Sequence, residues 1–173
     1  MKRKIDLWEY APTILAQTEK GVLVTTKSGD EVNTMTIGWG TLGNQWHKPI
    51  YTVFVRQSRH TKKLLDENGE FTVNVPLDDS AKKILGICGS KSGRDMDKIK
   101  ELGLTLEAPE MISVPGIKEL PLTLECKVIY KQDQMLEAIN SENRTRYYAS
   151  GTVDEQDYHT AYYGQVLSAY IIE

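Results

Sequence analysis

The sequence predicts a mainly β protein with α-helices, in which an antiparallel sheet closes or nearly closes into a barrel and the helices lie outside it. Strand-like segments outnumber helical ones, and several adjoin through short turns, which favours antiparallel pairing. The alternative is a doubly wound parallel sheet, which requires a helix after nearly every strand. The first half of the chain lacks those helices, and a barrel also removes most exposed edges.

One domain is expected over residues 1–173. A chain of 173 residues suits a single hydrophobic core, and 40% hydrophobic with 26% charged residues is ordinary for a globular protein. No repeat, low-complexity tract or flexible linker divides the sequence. The domain therefore has to hold any site within one compact unit.

Composition excludes several function classes. A net charge of −3 provides no general attraction for nucleic acid, and no run of ~18 apolar residues predicts a membrane span. The cysteines, Cys88 and Cys126, match neither a metal-binding nor a CxxC spacing. We therefore expect no metal site and interpret the cysteines as reduced thiols in a cytoplasmic protein.

The first half of the chain carries most of the predicted sheet. The predicted strands cover residues 21–27, 32–42, 50–56 and 70–75. The second of these forms a hairpin with the first and is interrupted at Gly38 and Gly40, where we expect a bulge or the close approach of another group.

The second half mixes helices with long strands. Residues 61–68 and 96–102 are predicted helices, and a third, 81–87, is capped by Asp79 or Ser80. A long strand follows at 120–132, with one apolar face; that face carries Leu122, Leu124, Cys126 and Val128. Residues 147–153 are predicted as the last or penultimate strand, and the aromatic tail, 158–172, packs after it.

Three stretches are suited to an anion. They are NTMTIGW at 33–39, RQSRHTKK at 56–63 and SKSGRDMDK at 90–98. A phosphate group carries about −1.5 to −2 charges and three acceptor oxygens, which arginine, lysine, hydroxyl groups and the free N–H groups of a helix N-terminus can bind. Taken alone, each stretch also fits a plain helix cap, a solvated loop or a threonine-rich strand. Their occurrence together in an acidic chain favours a local phosphate site.

The other reactive side chains form no catalytic pattern. His47, His60 and His159 have neither metal spacing nor an evident triad partner; His60 is either a ligand contact or a surface residue, and His159 is interpreted as structural or exposed. No serine lies in a nucleophile elbow, and neither a phosphate-binding P-loop nor GxGxxG is present. We therefore expect a protein that binds a reactive group, and we assign no catalytic residue.

The ordered motifs resemble the flavin reductase-like family, which has the FMN-binding split-barrel fold and includes the flavoredoxins. The resemblance runs from about residue 12 to residue 153. It is carried by NTMTIGWG at 33–40, KP at 48–49, SRHT at 58–61, FTVNVP at 71–76, CGSKSGRDMDK at 88–98 and PLTLEC at 121–126.

The resemblance implies a six-stranded antiparallel Greek-key barrel and a homodimer that holds FMN near the subunit interface. The residues that it places along the isoalloxazine ring are Asn33, Thr34, Met35, Thr36 and Trp39. Those that it places near the phosphate and ribityl chain are Arg56, Ser58, Arg59 and Thr61. Those that it assigns to the rest of the phosphate clamp are Ser90, Lys91, Ser92, Arg94 and Lys98.

The sequence departs from the family near its C-terminus. Relatives often carry a histidine near the flavin in the strand corresponding to 146–153, and RYYASGTV has none. Tyr147 or Tyr148 is expected to substitute, or the flavin edge is open. The tail tyrosines either cover the ring or belong to a dimer interface; they are Tyr162, Tyr163 and Tyr170.

The function that the resemblance implies is an FMN-dependent oxidoreductase that passes hydride from NAD(P)H to bound flavin. One alternative is a flavoredoxin-like carrier that passes electrons from bound FMN to a protein partner. Another is a non-catalytic domain that binds a different phosphorylated ligand. The sequence distinguishes neither NADH from NADPH nor a reductase from a carrier.

Overall fold

The computed structural model describes residues 1–148 and 157–173. The strands are β1 (Lys2–Lys4), β2 (Val22–Ser28), β3 (Glu31–Ile37), β4 (Gly40–Gln45), β5 (Lys48–Arg56), β6 (Glu70–Val75), β7 (Leu106–Glu107), β8 (Gly116–Ile117), β9 (Leu122–Asp133) and β10 (His159–Ile172). The helices are α1 (Leu7–Lys20), α2 (His60–Asn68), α3 (Lys82–Ser90), α4 (Lys98–Glu101) and α5 (Ser141–Tyr148).

The main sheet confirms the predicted mainly β, antiparallel class. Its strand order is β3-β2-β6-β9-β10-β5-β4, β1 pairs with the far end of β10, and all these pairs are antiparallel. It has eight strands in place of the six that the resemblance implies, because β1 joins β10 and residues 32–42 divide into two strands. β7 and β8 form a separate two-stranded pair.

The predicted strand at 32–42 is the main correction within the sheet. β3 pairs with β2 at one edge, whereas β4 pairs with β5 at the other. Two residues, Gly38 and Trp39, connect these edges, and so short a link spans about 11 Å at most. The sheet must therefore roll up until its edges meet at Trp39. A Cβ on Gly40 would lie 2.7 Å from the Tyr51 hydroxyl, the close approach that the glycine predicted.

The barrel encloses one apolar core. β9 contributes the predicted face, with Leu122, Leu124 and Cys126 fully buried and Val128 packed at the margin. A second cluster lies outside the barrel, where α3 packs over Leu23. The second cluster fixes α3 against the β2–β3 edge, and this packing positions the loop that follows α3.

Several helix predictions need correction. α3 begins at Lys82, with Ala81 at its N-cap position and no side-chain cap; Asp78 caps the 3-10 turn before it, where its carboxylate accepts from the Ser80 N–H at 2.8 Å. α3 continues to Ser90, whereas α4 is shorter than predicted. Residues 147 and 148 belong to α5, so the strand predicted at 147–153 is wrong there, and its residues 149–153 lie outside the described residues.

The sequence analysis assigned no element before residue 21, where the structure has β1 and α1. Asp6 caps α1 by accepting from the Trp8 N–H at 2.8 Å, and Ile14 is buried in the barrel core. Pro12 lies inside the helix, where proline ordinarily argues against one. No helix within the described residues is long and apolar enough to cross a membrane.

Candidate functional site

The three anion-suited stretches meet at one cavity of about 380 Å³ beside the junction of β3 and β4. It is bounded by β3, the start of α2, the loop between α3 and α4, and the facing ends of α5 and β10. The predicted site residues that line it are Asn33, Met35, Thr36, Trp39, Arg56, Ser58, Arg59, Thr61, Lys91, Ser92, Arg94 and Lys98. Residues that sequence reasoning placed in three separate segments therefore share one surface.

Two predicted residues lie elsewhere. Thr34 is fully buried between strands, and its hydroxyl bonds to Thr25 and to the Val24 carbonyl oxygen. Ser90 is still helical, and its hydroxyl donates to the Gly86 carbonyl oxygen at 3.0 Å. Both side chains are occupied within the sheet or helix that carries them, so neither lines the cavity.

The start of α2 forms one wall. Arg59 occupies the N-cap position without a side-chain cap bond, so N–H groups of the first turn are left to other acceptors. The Asn33 amide donates to the Thr61 hydroxyl at 3.0 Å and ties β3 to this turn. A Cβ on Gly93 would lie 2.1 Å from the Asn33 Oδ1, so the α3–α4 loop passes directly over the same asparagine.

Lys98 is the most unusual cation of this wall. Its side chain is buried and donates to the Lys91 carbonyl oxygen at 3.2 Å, with no carboxylate partner among the described residues. Burial lowers the pKa of its ammonium group, the thiol of Cys88 opposes that shift, and the positive charge of Arg59 adds to it. A buried cation without a counter-charge is costly, so this position suits an anion.

The electrostatics of the cavity oppose those of the whole chain. Its described lining carries five lysine or arginine side chains and no aspartate or glutamate, although the chain has a net charge of −3. Arg94 donates to the Ser58 carbonyl oxygen at 2.9 Å, and His60 pairs with Glu31 at 2.5 Å. The mouth of the site is thus fixed by polar contacts while its charge stays positive.

Aromatic rings form the opposite end. The ring centroids of Trp39 lie 5.0 Å from those of Tyr147 and 5.1 Å from those of His159. Trp39 is 44% exposed despite this packing, and Phe54 also lines the cavity. A cavity with cations at one end and half-exposed rings at the other can bind a flat ring that carries an anionic chain.

Arg56 lines the cavity as predicted and also makes contacts within the protein. Its guanidinium group donates to the Asp157 carbonyl oxygen at 2.9 Å and to the Tyr147 carbonyl oxygen at 2.8 Å, and it lies 5.1 Å from the Tyr148 ring centroid. Arg56 lines the cavity but holds the end of α5 against β5. We therefore assign it to the support of the aromatic end.

His159 lines the cavity, although the sequence around it indicated only a structural or exposed residue. It starts β10, is 7% exposed, and its Nδ1 lies 2.7 Å from the Tyr148 hydroxyl. Burial and the nearby Arg56 lower its pKa to about 4, so the ring is neutral at neutral pH. The resemblance implied a histidine near the flavin in the strand corresponding to 146–153, and that segment has none. The strand that reaches the cavity is β10, and its first residue is His159.

Other lining residues carried weaker signals. Ile37, Gly38, Gly89 and Gly93 were not singled out as contacts, although each lies beside a predicted residue. Cys88 also lines the cavity; burial raises the pKa of its thiol, which Lys98 partly opposes. Proximity in sequence to the anion-suited stretches was the only available indication for these residues.

The tail tyrosines do not line the cavity. The Tyr162 hydroxyl donates to Asp66 at 2.9 Å and the Tyr170 hydroxyl donates to Glu125 at 2.8 Å, both from buried positions. Tyr163 packs against Tyr130, with ring centroids 5.1 Å apart. Covering the ring is therefore excluded for the described cavity, and the interface role stays a prediction.

The profile of the flavin reductase like domain matches residues 18–173. The chain belongs to the flavin reductase-like family. This match covers the barrel, both walls of the cavity and β10, and it confirms the resemblance read from the motifs.

Individual relatives agree with the family assignment. An uncharacterised protein of Pyrococcus abyssi is 32% identical over 111 residues, which cover 64% of this chain and 62% of that protein. The matched stretch therefore spans less than two thirds of that relative's length. The crystal structure of flavoredoxin from Methanosarcina acetivorans is similar, with a TM-score of 0.68 at 25% identity over 88% of this chain and 68% of that one.

A third similarity concerns the fold alone. An FMN-binding domain of a flavin reductase-like enzyme from Shewanella baltica has a TM-score of 0.68 at 18% identity and covers 99% of this chain and 77% of that one. These split-barrel relatives place this flavin reductase-like chain in the predicted fold class.

Proposed function

We propose that this chain binds FMN and acts as an NAD(P)H-dependent flavin reductase. The observation that carries the proposal is the cavity itself, whose described lining has five lysine or arginine side chains, no aspartate or glutamate, and a set of aromatic rings at one end. FMN has the matching shape, a planar ring joined by a polyol chain to a phosphate. The family assignment and the relatives named for FMN binding support the same ligand.

The phosphate would be held at the α2–loop wall. Arg59, Lys91 and Lys98 would supply charge, Thr61 and Ser92 lie beside them, and the first turn of α2 has no side-chain cap. Charge-assisted hydrogen bonds contribute about 1.5–3 kcal/mol each. Three such bonds together with ring burial suffice for a micromolar site, about −8 kcal/mol.

The ring would lie at the Trp39 end. Trp39 and Phe54 offer apolar surface, while His159 offers a polar atom to the ring edge. Bound FMN supplies the hydride and electron transfer chemistry, so this chain needs no acid or base of its own. The task of these residues is to orient the ring, keep water from one side of it and hold it beside the positive wall.

Absorption spectroscopy tests flavin binding. The purified protein is mixed with FMN, freed of excess by desalting and scanned through the visible range. Flavin bands that stay with the protein at a stoichiometry near one per chain support the proposal. A protein that stays colourless contradicts the proposed FMN binding and favours the alternative of a non-catalytic domain for another phosphorylated ligand.

The flavoredoxin similarity favours a second candidate, an electron carrier that receives electrons from and passes them to protein partners. Steady-state oxidation of NADH and NADPH by the flavin-loaded protein separates the two. Turnover well above that of free FMN supports the reductase. A flavin-loaded protein without such turnover supports the carrier.

We also propose that the chain forms a homodimer. Trp46 is 54% exposed and Tyr130 is 41% exposed, and Tyr163 packs against the latter to make an aromatic strip on the outer face. Aromatic side chains are enriched in interfaces. Sedimentation equilibrium at micromolar concentration gives twice the monomer mass of 19.6 kDa if the proposal holds.

The free, buried thiols of Cys88 and Cys126 suit the proposed cytoplasmic location.

A further inference from the structure

Behind the aromatic end of the cavity, His159 is part of a small polar network with Tyr148 and Gln134. The Tyr148 hydroxyl lies 2.7 Å from His159 Nδ1 and 2.9 Å from Gln134 Oε1. The backbone N–H of His159 also points at Gln134 Oε1, at 3.2 Å, and the Gln134 N–H returns to the His159 carbonyl oxygen at 3.0 Å. These contacts join the start of β10 to α5 and to the segment that follows β9.

The backbone N–H of His159 determines the donor and acceptor roles in this network. A backbone N–H can only donate, so the end of the Gln134 amide that faces His159 is the oxygen. The Tyr148 hydroxyl must then give its single hydrogen to that oxygen. Its own oxygen is left only as an acceptor toward His159, so the proton on the imidazole lies at Nδ1.

The other ring nitrogen faces a different environment. Burial, Arg56 and Arg59 disfavour a second proton on the ring, and only Asp157 favours one, so the neutral ring has an unprotonated Nε2. No described residue hydrogen-bonds to Nε2, and His159 lines the cavity beside Trp39. The site therefore contains a fixed hydrogen-bond acceptor among its aromatic rings.

We propose that Tyr148 and Gln134 are positioning residues that hold His159 as the Nδ1–H tautomer, so that Nε2 accepts a hydrogen bond from a ring N–H of the bound ligand. The identity of that ligand rests on the proposed function. The isoalloxazine ring of FMN carries one N–H group when oxidised and gains more on reduction. A neutral acceptor at this position can serve such a group without adding charge to the site.

Nitrogen NMR of the ligand-free protein tests the tautomer directly. Protein labelled with ¹⁵N-histidine is measured at pH 7, and the His159 signals are identified by their loss in His159→Asn. We expect a protonated nitrogen at Nδ1 and an unprotonated one at Nε2. An Nε2–H tautomer, or a doubly protonated ring, overturns the proposal.

Two variants test the positioning role. Gln134→Met removes the acceptor of the Tyr148 hydroxyl, which is then free to donate to Nδ1, so we expect the tautomer to change to Nε2–H. Tyr148→Phe removes the partner of Nδ1 and should abolish the preference for Nδ1–H. If both variants keep the Nδ1–H ring of the parent, the network does not set the tautomer.

A matched control comes from a second tyrosine–glutamine pair, on β9. The hydroxyl of the exposed Tyr130 bonds to Gln132 Oε1 at 3.1 Å, so Tyr130→Phe removes another tyrosine–glutamine pair and should leave the His159 spectrum unchanged. Because no flavin is present in these measurements, a failure of FMN binding would contradict the proposed function but would leave the tautomer result standing.

Discussion

Glu125 and Lys98 are both buried charged residues, yet their surroundings differ. The carboxylate of Glu125 is fully buried on β9 and accepts from the Tyr170 hydroxyl at 2.8 Å and from the N–H groups of Glu110 and Met111 at 2.8 and 2.7 Å. Lys98 is buried at the cavity with one carbonyl oxygen as its partner. Glu125 fastens a loop and a strand to the barrel, whereas Lys98 keeps donors that the described protein does not use.

We infer from this difference that Glu125 stabilises the fold, whereas Lys98 belongs to the candidate site. Burial of a charge is costly unless hydrogen bonds compensate for its lost hydration. Three donors provide that compensation at Glu125. At Lys98 a phosphate would provide it, so a bound anion would be favoured at this position.

The largest expected effect comes from removing the Glu125 carboxylate, the buried charge whose hydrogen bonds are satisfied. Glu125→Ala leaves the Tyr170 hydroxyl and two backbone N–H groups without their acceptor, so we expect the free energy of unfolding to fall by about 3–5 kcal/mol. Urea denaturation measures it. Glu70→Ala is the control, because its half-buried carboxylate also accepts from the neighbouring loop, at Ser113, and should cost about 1 kcal/mol. Equal losses in the two variants would contradict the structural role of Glu125.

His159 is a buried ionisable group that avoids the cost of burying a charge, because its ring stays neutral at neutral pH. Its pKa in the folded protein, about 4, is below the unfolded value of 6.5, so the unfolded chain binds the extra proton between these pH values. The resulting stability is fully present above pH 6.5 and is lost as pH falls toward 4, by on the order of 3 kcal/mol. Urea unfolding at pH 7.5 and 4.5 measures the loss. In His159→Gln this part of the pH dependence should vanish; an unchanged slope would assign it to other groups.

Lys98→Met tests the second buried charge of the comparison. Removing this buried charge, which has no carboxylate partner in residues 1–148 and 157–173, should leave the ligand-free protein as stable or more stable, while the affinity for FMN falls about 10- to 100-fold, the equivalent of one charge-assisted bond. Riboflavin, which lacks the phosphate, should be affected at least tenfold less. Fluorescence titration with both ligands measures this, and Lys83→Met, on the exposed face of α3, is the control. Equal weakening of FMN and riboflavin would show that Lys98 supports the fold.

The smallest effects concern two glycines beside the same wall. In Gly93→Ala the new Cβ would collide with Asn33 Oδ1, so the loop must move; we expect stability to fall by about 1 kcal/mol and FMN affinity to fall with it. Gly86→Ala lies in the open on α3, where no atom is within 4 Å, and should stabilise the protein by up to about 1 kcal/mol. Thermal melts with FMN titrations separate these outcomes. A Gly93→Ala variant that binds FMN normally would place the phosphate elsewhere.

Residue chemistry predicted much of the candidate site, because the groups that suit an anion occur in short runs. Arg59 from the run at 56–63 lines the same wall of the cavity as Lys91 and Lys98 from the run at 90–98. The exceptions have local causes: Thr34 points between strands, and α3 continues far enough to include Ser90. The assignment of these residues to FMN remains a proposal.

The aromatic end was less predictable than the basic end. Trp39 meets Tyr147 and His159 only because β10 lies next to β5 in the sheet and α5 packs on their end. These contacts join residues more than 100 positions apart. No local pattern at His159 distinguishes a cavity residue from an exposed one.

The sequence by itself determined the mainly β class, the apolar face of β9 and the anion-suited runs, because side-chain alternation and charge are properties of neighbouring residues. Only the tertiary structure decided that residues 32–42 serve both edges of the sheet, that 147–148 are helical and that Lys98 is buried with no carboxylate partner among the described residues. Those features depend on how the sheet rolls and which distant segments pack against it. Burial and strand pairing are set by the whole chain, and no short stretch of sequence specifies them.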